Sequence, residues 1–113
     1  MAERRDLAAG ASFLRTVLRW NRRDNASRRL LAKTLNDLER NEEAIQVWRD
    51  LDKETNGDEE ALRNIIGLSL TARRPADAVA ALRRLLEIED DPESIRGIEV
   101  TIRQIEQASE ASR

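Results

Sequence analysis

The chain has 113 residues, 40% of them hydrophobic and 37% charged, with 4 Gly, 2 Pro, no Cys and no His. That is the length of a single small domain, able to bury roughly 65% of its unfolded surface. The composition excludes a collagen repeat, a disulfide scaffold, a thiol nucleophile, a Cys/His metal site and imidazole acid–base chemistry. Carboxylates, Lys/Arg, Ser/Thr and Asn are the chemical groups that remain. The formal charge of −2 conceals an uneven distribution. Residues 1–40 carry ten Lys/Arg against five Asp/Glu, and residues 41–113 carry ten against seventeen. Arg15, Arg19, Arg22, Arg23, Arg28 and Arg29 surround one acid, Asp24. Such a field steers an acidic partner to the N-terminal side or favours head-to-tail contact between copies.

Every long segment has the period of a helix. Over residues 4–22, Leu7, Ala11, Leu14 and Leu18 recur at four, three and four, with Val17 widening the stripe. Phe13 and Trp20 lie seven apart and off that stripe. Asp24 or Asn25 caps a second helix over 25–39, with Leu30, Leu31, Leu35 and Leu38 inward. Asn41 caps a third over 42–55, with Ala44, Ile45, Trp48 and Leu51 inward, and Gly57 stops it.

Asp58-Glu59-Glu60 opens the fourth helix with negative charge at its N-terminus, and Leu62, Ile65, Ile66, Leu68 and Leu70 make it the most apolar. Pro75 suits the first position of a fifth helix over 75–88, with Ala78, Leu82 and Leu85 inward. Asp91-Pro92 repeats that start for a sixth, carrying Ile95, Ile98, Ile102 and Ile105. No run alternates with period two, so no strand is expected. About six helices joined by short turns predict an all-α domain of antiparallel neighbours over residues 1–113.

An offset of 34 places Ala44 on Ala78, Arg49 on Arg83, Leu51 on Leu85, Arg29 on Arg63 and Arg40 on Arg74. Leu31-Ala32-x2-Leu35 followed by Ala44-x3-Trp48, and Ile66-Gly67-x2-Leu70 followed by Ala78-x3-Leu82, resemble the tetratricopeptide repeat (TPR) family. In this matching, the turn before Ala78 is one residue shorter than the turn before Ala44. Small residues are then expected where paired helices cross closely, Ala32 against Ala44 and Gly67 against Ala78. The resemblance covers full units at 25–58 and 59–92 and a half unit at 6–22, with a capping helix at 93–110. It implies a right-handed α-solenoid of stacked helix hairpins.

In such a stack the first helices line a concave face that commonly receives a partner segment. Arg29, Lys33 and Asn36 share one face of the second helix, and Asn64, Leu68 and Thr71 are read as their counterparts in the next unit. That polar, partly basic trough suits an acidic segment or a terminal carboxylate. Phe13 and Trp20 form a second candidate, an apolar edge on the first helix for a partner or another copy. The carboxylate run Glu87, Glu89, Asp90, Asp91, Glu93 lacks calcium-loop spacing and reads as a solvated turn capping the last helix.

The function expected is therefore a non-catalytic protein-interaction or scaffold module, with no metal or other cofactor. Its protein partner is a segment of another chain or a second copy. An accessory module of a larger enzyme or assembly is one alternative. Binding of nucleic acid or an anionic surface through the Arg15–Arg29 region is another, disfavoured by having only three aromatic residues to stack on bases. The N-terminus lacks the apolar core of a secretory signal and no membrane span is present, so the expected location is cytoplasmic.

Overall fold

The structure, a computed structural model, describes residues 2–111. Met1, Ser112 and Arg113, which the expected 1–113 domain includes, lie outside the described residues. The described residues are all-α, with six helices and no strand: α1 (Ala2–Trp20), α2 (Asn25–Asp37), α3 (Asn41–Thr55), α4 (Glu59–Thr71), α5 (Pro75–Ile88) and α6 (Pro92–Ala111). They fall into two compact units, one ending at Asn56 and the other beginning at Gly57.

In the N-terminal unit α2 packs against both α1 and α3. Its core joins Ala11 and Leu14 of α1 to Leu31, Ala32 and Leu35 of α2 and to Ala44, Ile45, Trp48 and Leu51 of α3. Trp48 is its largest fully buried side chain. Each large apolar side chain withdrawn from water here contributes about 1.5–3 kcal/mol. In the C-terminal unit α5 packs against both α4 and α6. Leu62 and Ile65, Ala78, Leu82 and Leu85, and Ile98 and Ile102 meet there. Leu30, expected inward, is 55% exposed: the stripe of α2 passes through Leu31 and leaves its neighbour outside. Leu70 is likewise exposed on α4.

The helix starts follow from local hydrogen bonding. Asp24 caps α2, its carboxylate accepting from the Ser27 amide at 3.0 Å and the Ser27 hydroxyl at 2.7 Å. Asp58 caps α4 by accepting from the Ala61 amide at 2.8 Å. The third helix starts differently from expectation. Arg40, not Asn41, occupies its cap, without a side-chain bond, and Asn41 is already helical.

The reason lies in the preceding turn. Arg40 N donates to Leu35 O and Glu39 N to Asn36 O, with Glu39 at φ 59°. This six-to-one and five-to-two pair is a Schellman ending, and it consumes the residues before Asn41. A left-handed residue also ends α3, but it is Asn56 (φ 55°), with Gly57 following at φ 126°.

The same turn recurs 34 residues on. Arg74 N donates to Ser69 O and Arg73 N to Leu70 O, with Arg73 also at φ 59°. Caps at Asp24 and Asp58, helix starts at Asn25 and Glu59, and starts at Asn41 and Pro75 keep that offset throughout. The two turns are therefore equal in length, contrary to expectation. Ala32 corresponds to Ile66, and Gly67 to exposed Lys33. Gly67 is exposed and a Cβ added there would meet nothing within 4 Å, so it is not the close-approach residue expected opposite Ala78.

Candidate functional site

On α2, Arg29 and Asn36 are half-buried and Lys33 is exposed. Asn36 Oδ1 accepts from the Trp48 indole Nε1 at 3.4 Å, so this side chain is engaged in holding α3 against α2. On α4, Asn64 is half-buried and donates to Glu60 O at 2.9 Å. Leu68 is half-buried, and exposed Thr71 donates from Oγ1 to Gly67 O at 2.9 Å. The common offset of 34 makes Arg63, Gly67 and Leu70 the equivalents of Arg29, Lys33 and Asn36. The sequence pairing with Asn64, Leu68 and Thr71 is thus displaced by one residue, which on a helix turns the side chain through about 100°.

Phe13 and Trp20 stand clear of the core, 67% and 87% exposed. A helix of this period carries positions 13 and 20 on one side and buried Ala11 and Leu14 on another, which is why neither aromatic reaches α2.

A feature that motif reading did not assemble lies in the same unit. Arg15, Leu18 and Arg19 of α1, Arg22 of the following turn, Arg28 and Leu31 of α2, and Val47 and Asp50 of α3 line an open groove of about 400 Å³. Arg15 reaches Glu43 on α3 at 3.0 Å. Arg28 is 8% exposed, and its guanidinium donates to Asn25 Oδ1 at 2.8 Å and to Arg22 O at 2.6 Å, both neutral acceptors. Asp24 acts on it from farther away. The Ser27 amide and then the Ser27 hydroxyl hold the Asp24 carboxyl below its ordinary range, partial burial opposes them, and Arg28 adds to the lowering. The signal in the sequence was the Arg15–Arg29 basic run. Only the packing of three helices shows which of those arginines share a concavity.

Among the described residues no group of three or more His, Cys, Asp or Glu side chains is placed to hold a metal ion. The acidic turn before α6 is tied up locally, with Asp91 Oδ2 accepting from the Ser94 amide and hydroxyl at 3.0 Å and Glu87 paired with Arg84 at 2.6 Å. No described helix is long and apolar enough to cross a membrane.

No protein-family model, curated protein or solved structure matches the chain.

Proposed function

We propose that the chain is a non-catalytic, tetratricopeptide-like interaction module of the cytoplasm, which holds a segment of a partner protein. The observation that carries this reading is the recurrence, at one 34-residue offset, of cap, helix, Schellman turn and second helix. Repetition of a hairpin presents equivalent side chains at regular intervals, which is how helical repeats build binding surfaces. The exposed aromatics Phe13 and Trp20 support it further, because aromatic rings, tryptophan above all, are enriched among the residues that carry binding energy at interfaces. Arg29 and Lys33 on α2 are the other proposed contact residues.

Affinity capture from host lysate tests the reading, with wild type beside Arg29→Ala/Lys33→Ala and Phe13→Ala/Trp20→Ala. Asn36 is left intact because its loss would disturb Trp48. A protein retained by wild type and lost with one of the variants is the expected result. Recovery of the chain alone would replace the partner reading with self-assembly, and a partner held equally by all three proteins would remove these residues from the site.

A further inference from the structure

We propose that the arginine-lined groove of the N-terminal unit binds a short acidic peptide that also carries an aliphatic side chain. The proposal rests on the reading of the chain as a partner-binding module and assigns the chemistry of that partner. Four arginines, Arg15, Arg19, Arg22 and Arg28, line the groove from two helices and a turn, and Asp50 is the one acidic residue of that lining. With Glu43 paired to Arg15 and Asp24 acting on Arg28 from farther away, the four arginines still outnumber the acids around them. Arg15 is paired with Glu43, whereas Arg28, nine-tenths buried, directs its two hydrogen bonds to uncharged oxygens. Asp50 is already an acceptor for Gln46 Nε2 at 3.0 Å.

A carboxylate entering this space gains charge-assisted hydrogen bonds, which are shorter and stronger than neutral ones. It gains them beside Arg28, whose burial leaves the Coulomb attraction less screened than in bulk water. The remaining lining decides between anions. Half-buried Leu18, backed by the buried side chains of Leu31 and Val47, supplies an apolar contact that a phosphate backbone has no group to fill. A peptide that carries both acids and an aliphatic residue fills both parts. The groove is distinct from the α2 face carrying Arg29 and Lys33, so the two can be tested separately.

The experiment is a fluorescence-anisotropy titration of the full chain into a dye-labelled hexapeptide alternating glutamate and leucine. The same peptide with glutamine for glutamate, a dye-labelled oligothymidine and labelled phosphatidylserine vesicles are run beside it. The glutamate peptide is expected to bind and the glutamine peptide to bind at least about tenfold more weakly. Arg19→Glu/Arg22→Glu, both at exposed positions, should weaken the glutamate peptide by a similar factor with an unchanged circular-dichroism spectrum. Asp50→Asn should tighten it about two- to threefold, a gain that misfolding cannot produce. Equal binding of the two peptides, indifference to the charge reversal, or preference for oligothymidine or vesicles would overturn the proposal. If the peptides fail while lysate capture still returns a partner, the groove is excluded and the partner-binding reading stands.

Discussion

Trp48 donates its indole N–H to the side-chain oxygen of Asn36, 3.4 Å away across the α2–α3 hairpin. Trp48 is fully buried, so this is the polar handle by which a large ring is accommodated in an apolar core. Thirty-four residues later the pair is Leu82 and Leu70, and the need for the bond has gone with the indole. Asn36→Ala should therefore cost about 1 kcal/mol, the price of an unpaired buried donor, as read by urea unfolding of wild type and variant. The same change in a Trp48→Phe background should cost much less. Equal losses in both backgrounds would show that the hydrogen bond is not the source.

Gly67 lies in the interior of α4 with open space beside it. Gly67→Ala should stabilise the chain by about 0.5–1 kcal/mol, because alanine loses less backbone freedom on entering a helix and meets no neighbour here. A lower thermal midpoint would mean that a close approach exists at that position after all.

Glu39 and Arg73 adopt left-handed conformations that side chains ordinarily avoid, each at the Schellman position where glycine is commonest. Glu39→Gly and Arg73→Gly should each raise stability by about 0.5–1 kcal/mol, the relief of strain exceeding the entropy that glycine adds to the unfolded chain. The control is Gly57→Ala, opposite in sign. It combines φ 126° with a new Cβ 2.8 Å from Ile88 Cγ2. Chemical denaturation of all three variants checks the set.

Ser69 is fully buried on α4, and its hydroxyl is without a hydrogen-bond partner. Its counterpart is Leu35, also fully buried. Ser69→Ala should leave the fold intact and add up to about 1 kcal/mol, since the hydroxyl is desolvated without compensation. A destabilised Ser69→Ala protein would point to a water held by that oxygen.

The Asp24 cap sets a pH dependence. Its carboxyl titrates below the ordinary value, chiefly through the Ser27 amide and then the Ser27 hydroxyl, with Arg28 assisting. A folded-state value below the unfolded one stabilises the chain above the usual carboxylate range and ceases to do so as pH falls through the folded value. Asp24→Ala should thus melt lower than wild type at neutral pH, and the gap should close in strong acid. Thermal melts across the acidic range measure it.

Much of this architecture was legible in the residues. Leu31, Leu35, Ala44, Trp48 and Leu51 are spaced for helical stripes and all are buried, and Pro75 and Pro92 each open a helix. The turns between paired helices were not legible, because Glu39 and Arg73 carry no glycine signal at positions that demand positive φ. Asn41 therefore reads as a cap, and the motif pairs the first helices of the two hairpins one residue out of phase while the second helices keep the offset of 34. That single step made Gly67 look like a contact residue and drew Asn64, Leu68 and Thr71 into the site. The groove arginines were visible as a basic run, but only three-dimensional packing separates Arg28, buried on α2, from exposed Arg23 beside the turn.

Within each unit, the middle helix packs on the helices that precede and follow it in the chain. Every such interface closes a loop of only three or four residues, so little entropy is lost before the first side chains meet. Chains whose contacts are this local in sequence fold on microsecond to millisecond timescales, and either hairpin can serve as the starting point. The Schellman turns then acquire a kinetic meaning. A side chain strained at φ 59° delays hairpin closure, and glycine at Glu39 or Arg73 would speed folding more than it slows unfolding if the turn is already formed at the barrier.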